Sequence, residues 1–208
     1  NARPLTRRRR GQIESAQNAQ IAGEIEQMKC TKTKLDGVLI LTPRTFCDER
    51  GWFMESYSAR TLSELGIDCA FVQQNHIQSL QKGVLRGIHF QNYPYAQAKL
   101  VRCLRGIVRD YAVDLRKGSP TYKQYVCVEL SEENKKQLFL PRGFGHAVIS
   151  LTDNSEIEYQ VDNLYMPEFD RTVFYLDSEL GISWEMDKII VSEKDRNAPM
   201  LAESDCNF

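Results

Sequence analysis

The chain has 208 residues, of which 42% are hydrophobic and 26% charged, and its formal net charge is −1. This length fits one domain with a sizeable core. The near-neutral charge argues against binding to nucleic acid or to a membrane surface by bulk electrostatics. Because there is no apolar run of about 18 residues, and no apolar stretch after the basic N-terminus, we expect neither a transmembrane helix nor a signal peptide.

The first 27 residues differ in composition from the rest of the chain. Four consecutive arginines, residues 7–10, are followed by a polar segment with little apolar periodicity. We interpret residues 1–27 as a tag or an upstream extension, and residues 28–208 as the functional domain. The alternative, an arm that binds nucleic acid, rests on the four arginines alone.

The six cysteines occur singly, and none belongs to a C-x-x-C pair. This arrangement indicates neither a structural zinc site nor a redox-active pair. Scattered thiols are typical of a reducing compartment, so we expect a cytoplasmic protein. Free cysteine behaves as a small hydrophobic residue. We therefore expect buried, unreactive side chains at Cys30, Cys47, Cys69, Cys103, Cys127 and Cys206.

From residue 35 onward the pattern predicts short β-strands. Residues 38–41 form a short apolar strand, and residues 60–65 form the one convincing helix of the first half, which ends at Gly66. Runs rich in aromatic and β-branched residues predict further strands at 99–104, 107–115, 122–130, 134–140, 147–151 and 155–161. This spacing predicts an antiparallel sandwich or barrel, and the lack of crossover helices argues against a doubly wound α/β fold.

The chain has only three histidines: His76, His89 and His146. A metal site would need two or three of them at close spacing with a carboxylate, so we predict no bound metal. Histidine is also the side chain best suited to proton transfer near neutral pH. On a regular strand Arg86 and His89 would face opposite ways, but a bulge at Gly87 would bring both to one face. The alternative is a core histidine bonded to a backbone carbonyl.

A set of short motifs follows in one order along most of the chain. They include DERGxFxES at 48–56, FVQxNH at 71–76, LRGIHFQ at 85–91, KLV at 99–101, PRGFGH at 141–146, YxP at 165–167 and SEKD at 192–195. Each motif is weak alone, but their shared order is a strong signal. Between about residues 35 and 201 the chain resembles the dTDP-4-dehydrorhamnose 3,5-epimerase family.

The resemblance implies an all-β fold, a cupin-type double-stranded β-helix (jelly roll) with a few short helices. It implies an isomerase without metal or cofactor that converts dTDP-4-dehydro-6-deoxy-D-glucose to dTDP-4-dehydro-L-rhamnose. This step belongs to dTDP-rhamnose biosynthesis for lipopolysaccharide or cell-wall polysaccharide. The implied partners are the nucleotide sugar and a second copy of the chain, in a homodimer whose exchanged N-terminal strands help to line the partner's pocket.

Four residues take the family's catalytic roles by this resemblance. His89 would be the base that removes a proton next to the C4 ketone, and Asp195 would hold its imidazole. Lys99 would stabilise the enolate oxygen. Tyr159 would return a proton to the opposite face. Without the resemblance, Lys99 reads equally well as a solvated strand lysine, Tyr159 as a core aromatic and Asp195 as a helix cap.

The resemblance also assigns binding roles. Arginine suits phosphate because its guanidinium forms a bidentate fork, and aromatic rings stack on bases. The implied residues are Arg50, Arg86 and His146 near the pyrophosphate, Glu55, Gln73 and Asn75 at the nucleoside or sugar, Tyr165 against the thymine, and Asp170 and Lys194 to complete the pocket.

Several positions depart from the family pattern, and we expect them to cluster in the pocket wall. The departures are Gln74, Ile77, Ala147, Val148, Arg171, Tyr175 and Leu176. They leave open which sugar is used and whether both carbons are inverted. The alternatives are a mono-epimerase acting at C3 or C5 only, and a cupin that binds a sugar nucleotide without catalysis.

Overall fold

The structure is a computed structural model that describes residues 28–208. These residues divide into two compact units. Residues 28–29 and 43–68 belong to the smaller unit, and residues 30–42 and 69–208 form the larger one. The predicted N-terminal extension, residues 1–27, lies outside the described residues.

The described residues are mostly β-strand, with two short α-helices and two 3₁₀ turns. The elements are β1 (Met28–Lys32), β2 (Leu39–Pro43), β3 (Phe46–Asp48), β4 (Gly51–Phe53), α1 (Ala59–Glu64), β5 (Gln73–Ser79), β6 (Leu85–Gln91), β7 (Lys99–Arg105), β8 (Ile107–Asp114), β9 (Tyr125–Ser131), β10 (Gln137–Leu140), β11 (Phe144–Ser150), β12 (Ser155–Val161), a 3₁₀ turn (Pro167–Phe169), β13 (Asp170–Thr172), α2 (Glu193–Arg196) and a second 3₁₀ turn (Leu201–Glu203). Within residues 28–208, no helix is long and apolar enough to cross a membrane.

The smaller unit contains a β-hairpin and the helix α1. Strands β3 and β4 pair with Phe46 opposite Phe53, and the Arg50 backbone N–H donates to the Asp48 carboxylate at 2.8 Å in the turn between them. The Ser58 hydroxyl caps α1 by accepting a hydrogen bond from the third helical N–H, which satisfies a donor that has no partner inside the helix. The predicted helix is confirmed within one residue at each end.

The larger unit is a sandwich of two sheets. Six strands lie in the order β1-β2-β10-β7-β12-β5, and five in the order β13-β6-β11-β8-β9. Pairing is antiparallel throughout the five-stranded sheet and from β2 to β5 in the other. The predicted antiparallel sandwich is therefore confirmed.

Two hydrophobic clusters lie on the two faces of the five-stranded sheet. One fills the space between the sheets and includes Val101, Val128, Leu138 and Ile157. The other lies on the far face, where chain following β13 covers residues such as Ile88, Tyr111 and Ile149. Strands β8 and β11 are consequently buried on both faces, which explains why their sequences lack a clear polar and apolar alternation.

A bulge in β6 sets the direction of the Arg86 and His89 side chains. His89 pairs with His146 and Arg86 with Val148, so three residues of β6 span the length of two on β11. The extra residue is Gly87, whose φ of +134° favours glycine and whose added Cβ would lie 2.6 Å from the His146 carbonyl oxygen. The bulge predicted from the sequence is confirmed, and both Arg86 and His89 line the same interior cavity.

The expectation that every cysteine is buried is confirmed for only two of the six. Cys103 and Cys206 are buried, whereas Cys47 and Cys127 are exposed. Cys127 alternates with the buried Val126 and Val128 on β9 and therefore points away from the space between the sheets. Cys47 lies in the hairpin of the smaller unit, where every strand residue is exposed.

The geometry of the bulge predicts that replacing Gly87 lowers the stability of the protein. A Gly87→Ala variant should lose roughly 2–4 kcal/mol of unfolding free energy, because the new methyl group would overlap neighbouring backbone atoms and φ is unfavourable. Denaturant titration measures this loss. Gly118→Ala is the matched control, since its added Cβ meets no atom within 4 Å. Equal stability of the two variants would show that the bulge is not constrained in this way.

Candidate active site

A cavity of about 360 Å³ lies inside the larger unit, between the two sheets. Strands β5, β6, β7, β11 and β12 contribute to its wall, together with residues 190–195. Its lining includes all four residues predicted to be catalytic and three of those predicted to bind substrate: His89, Lys99, Tyr159 and Asp195, with Arg86, His146 and Lys194.

The first pair in this cavity is His89 and Asp195. Nε2 of His89 lies 2.5 Å from Oδ1 of Asp195, which α2 presents from a nearly inaccessible position. Because this bond occupies Nε2, Nδ1 is the ring nitrogen left to accept a proton. Burial acts to raise the pKa of the Asp195 carboxyl, but the hydrogen bond and charge of His89 outweigh it and lower that pKa. Asp195 is therefore an anion that orients the imidazole.

A second histidine of the cavity pairs with a buried carboxylate. Nε2 of His146 is 2.9 Å from the carboxylate of Asp110, and both side chains are buried. Burial lowers the pKa of His146, and the charge of Asp110 offsets this only in part. No role was predicted for Asp110 from the sequence. The feature that could have indicated one is a carboxylate in a mostly apolar strand, β8. His146 pairs with His89 across β11 and β6, and its predicted role near the pyrophosphate stays a prediction.

Tyr159 approaches from the opposite sheet. It lies on β12, and its ring centroid is 6.3 Å from that of His146. Burial raises the pKa of Tyr159, against the opposing effect of a hydrogen bond with Asn75. The phenol therefore keeps its proton at neutral pH. His89 and Tyr159 thus face one cavity from the two sides of the sandwich.

Lys99 is a buried cation at the inner end of the cavity. Its Nζ lies 5.6 Å from the centroid of the Tyr159 ring. Burial lowers the pKa of Lys99 to about 8, while the negative charges of Asp110 and Asp170 act in the opposite direction. Lys99 is therefore still largely protonated at neutral pH, and it is a source of positive charge in a dry region.

A chain of hydrogen bonds brings five of the predicted binding residues together. Gln73 donates to Asn75 at 3.0 Å and accepts from the Tyr165 backbone N–H at 3.0 Å. The Tyr165 hydroxyl donates to Asp170 at 3.2 Å, and Lys194 pairs with the same carboxylate at 2.5 Å. Tyr165 and Lys194 are each about half exposed, so this network lies at the mouth of the cavity.

The remaining predicted binding residues lie in different places. Arg86 lines the cavity and donates to the carbonyl oxygen of Gln78 at 3.1 Å. Arg50 and Glu55 belong to the smaller unit, where Arg50 pairs with Asp48 at 2.6 Å and Glu55 accepts a hydrogen bond from α1. The binding roles of Arg50 and Glu55 stay predictions.

The expectation that the sequence departures cluster in the pocket wall is wrong for most of them. Ile77 lines the cavity. Gln74 faces outward because side chains alternate along β5, and Leu176 is 54% exposed. Arg171 pairs with Asp205 at 2.6 Å. Among the departures only Ile77 and Val148 line the cavity and therefore bear directly on what it accepts.

The arrangement suits proton transfer to and from a molecule held between the sheets. An imidazole with a free nitrogen faces a protonated phenol, and a buried ammonium lies at the inner end. Such an ammonium stabilises an oxyanion strongly where water is excluded. In the part of the chain that the structure describes, no three His, Cys, Asp or Glu side chains are grouped so that they could hold a metal ion.

Comparisons with known proteins agree with this geometry. The sequence model of the dTDP-4-dehydrorhamnose 3,5-epimerase family matches residues 32–203. The dTDP-4-dehydrorhamnose 3,5-epimerase of Salmonella typhimurium is 47% identical, over 83% of this chain and 95% of that protein. The enzyme of the same name from Shigella flexneri is 45% identical, over 86% and 98%.

A solved structure is also similar. The dTDP-6-deoxy-D-glucose-3,5-epimerase of Legionella pneumophila, in complex with dTDP-4-keto-L-rhamnose, is 43% identical and superposes with a TM-score of 0.82. The match covers 86% of this chain and 95% of that one. The expected cupin-type jelly roll is confirmed by this likeness and by the two-sheet architecture. The chain belongs to the dTDP-4-dehydrorhamnose 3,5-epimerase family.

Proposed function

We propose that this protein epimerises dTDP-4-dehydro-6-deoxy-D-glucose at C3 and C5 to give dTDP-4-dehydro-L-rhamnose. The observation that carries the proposal is the placement of His89 and Tyr159 on opposite sheets around one cavity. Inversion of a carbon by proton transfer requires a base on one face of the sugar ring and an acid on the other. The cavity provides both.

The ketone makes one base sufficient for two carbons. Hydrogens at C3 and C5 are acidic because the electron pair left by either proton spreads onto the C4 oxygen as an enolate. In a ring of glucose configuration these two C–H bonds point to the same face. A base fixed on that face, with an acid fixed on the other, therefore serves each carbon in turn.

Each residue then has a defined proton or charge to handle. Nδ1 of His89 takes the proton, and the ionised Asp195 stabilises the resulting imidazolium. The ammonium of Lys99 stabilises the enolate oxygen. The Tyr159 hydroxyl gives its proton to the carbon from the other face. The imidazolium then loses its proton to solvent and the tyrosinate regains one, which restores the enzyme.

The charges and exposure along the cavity orient the substrate. Lys99 and His146 are buried at the inner end, whereas Arg86 and Lys194 lie toward solvent. The C4 oxygen therefore lies inside, and the diphosphate lies at the mouth beside the two cations there. In this orientation His146, held by Asp110, contacts the C4 side of the sugar rather than the pyrophosphate.

We further propose a homodimer in which the smaller unit serves the partner's pocket, and a cytoplasmic location. The hairpin of the smaller unit exposes Trp52 by 55% and Phe53 by 68%, and exposed aromatic side chains of this kind favour an interface. All six cysteines are free thiols, as in proteins from reducing compartments.

Exchange with solvent tests the proposed reaction most simply. In heavy water the wild-type protein should replace hydrogen at both C3 and C5 of the keto sugar, as read by NMR. His89→Asn should slow this exchange by about 10²-fold or more while dTDP still binds. His76→Asn is the matched control, because His76 lies on the outer face and pairs with Glu156.

The outcomes separate the alternatives. Exchange at one carbon only would make the protein a mono-epimerase. Nucleotide binding without any exchange would make it a binding protein. Equal loss of exchange in the His76 and His89 variants would contradict the assigned base.

The burial of Lys99 predicts a pH dependence. Because its pKa is lowered to about 8, the enolate-stabilising charge is present below that pH and is lost as the pH rises through it. The turnover rate should fall on the basic side with an apparent pKa near 8, and Tyr159 does not produce this fall because its pKa is raised. Lys99→Gln should lower turnover by about 10²–10³-fold and remove the basic limb. A wild-type rate that is flat between pH 7 and 9.5 would contradict this role.

Mixed dimers test whether the smaller unit serves the partner. Arg50→Ala and His89→Asn variants should each have weak or no activity alone. If Arg50 acts in the partner's pocket, each mixed dimer has one intact site, and a fully scrambled equal mixture should regain about a quarter of wild-type activity. Absence of any gain on mixing would place Arg50 in its own subunit's site, or outside the site.

A further inference from the structure

Inward-facing side chains form successive rows across the inside of the sandwich. In the six-stranded sheet Tyr159 pairs with Asn75, and in the five-stranded sheet His89 pairs with His146. All but Asn75 line the cavity. These four residues are the catalytic row.

The row on one side of the catalytic row is apolar. Ile157 lies two residues before Tyr159 on β12 and pairs with Ile77. Val148 lies two residues after His146 on β11. Ile157 and Val148 are only 4% and 6% exposed and belong to one hydrophobic cluster, against which Ile77 packs. All three line the cavity. Arg86 pairs with Val148 in this row, and its guanidinium donates to the Ser79 hydroxyl and to the Gln78 carbonyl oxygen at the end of β5. Ile77, Val148 and Ile157 are the apolar row.

The row on the other side of the catalytic row is polar and charged. Val161 lies two residues after Tyr159 on β12 and pairs with both Gln73 and Lys99. The charge of Lys99 is influenced from this side by Asp170 and Lys194. The two flanks of the catalytic row therefore differ sharply in polarity.

This asymmetry bears on how the sugar lies in the cavity. The proposed function places the C4 ketone beside Lys99 and the C1 diphosphate at the mouth. C1 and C4 are opposite corners of a pyranose ring, so C3 and C5 lie on the two flanks of the line that joins them. The base and the acid occupy the two faces of the ring. With C4 inside, C1 at the mouth and the C3 and C5 hydrogens toward the base, the stereochemistry of the ring also fixes the flank on which C5, with its attached C6 methyl group, lies.

We propose that the apolar row is the binding site for the C6 methyl group, and that it selects 6-deoxy sugars over sugars with a C6 hydroxyl. This inference rests on the proposed function and adds the part of the substrate that the cavity recognises. None of the three side chains forms hydrogen bonds, so a C6 hydroxyl placed among them would lose its bonds to water without replacement. The C3 hydroxyl, on the opposite flank, meets the polar row.

Two substrates that differ only at C6 test the inference. We would measure kcat/KM for dTDP-4-dehydro-6-deoxy-D-glucose and for dTDP-4-dehydro-D-glucose, which carries a C6 hydroxyl. The wild-type protein should prefer the 6-deoxy sugar by about 10²-fold, the discrimination typical of an apolar pocket against an added hydroxyl. Ile77 is the residue to change because it is only partly buried at the edge of its cluster.

A matched pair of variants isolates the polarity of the wall. Valine and threonine have nearly the same shape, so Ile77→Val should keep the preference, whereas Ile77→Thr should reduce it by about tenfold through better use of the C6-hydroxy sugar. If the Ile77→Thr protein fails to fold, as judged by its thermal unfolding, Val148→Thr makes the same comparison against wild type.

The results are read as follows. Equal use of both sugars by the wild-type protein, or the same preference in the valine and threonine variants, would overturn the inference while leaving the epimerase function intact. Turnover of neither sugar would overturn the proposed function and this inference with it.

Discussion

The hydrogen bond between His89 and Asp195 joins two segments that are 106 residues apart in the chain. The Gly87 bulge directs His89 into the cavity, and the cap at Ser192 begins the short helix that presents Asp195. Just before that helix, Ile190 exchanges backbone hydrogen bonds of 2.8 Å with Gly83 and Leu85 at the start of β6. Both ends of the pair are therefore fixed by backbone, which sets the direction of the free Nδ1.

The sandwich gives the base and the acid their separation. Packed sheets lie about 10 Å apart, which leaves room for a flat ring between side chains that reach in from each side. Burial then adjusts each group toward its role. It raises the pKa of Tyr159, so that the acid is protonated, and it lowers the pKa of His146, which keeps that imidazole neutral. Asp195 stays ionised because the hydrogen bond and charge of His89, with smaller contributions from Ser192 and Gly87, outweigh the effect of burial on its pKa.

Much of this arrangement could be predicted from the sequence, because motif order and strand periodicity are local signals. The all-β sandwich, the helix near residue 60 and the Gly87 bulge follow from such patterns, whereas the shared cavity of His89, Lys99, Tyr159 and Asp195 was expected from the resemblance to a known family. Strand boundaries were less accurate: the strand predicted from residue 122 begins at Tyr125, since turn residues with high β-propensity precede it.

Other features depend on tertiary pairing that no local pattern reveals. Asp110 lies in a strand buried on both faces, so alternation gives no sign of which side it faces. The outward position of Gln74, and the ion pair of Arg171 with Asp205, likewise depend on which face of the strand is covered and on contacts between distant segments. The apolar row is visible only after the register of β12, β5 and β11 is known.

The measurement that tests the account most directly is a crystal structure of the protein with a dTDP-linked 4-keto-6-deoxy sugar bound. The account predicts the sugar ring between the sheets, with His89 Nδ1 and the Tyr159 hydroxyl on opposite faces, each within about 3.5 Å of a carbon next to the ketone. A sugar bound with both side chains on the same face, or outside the cavity, would contradict it.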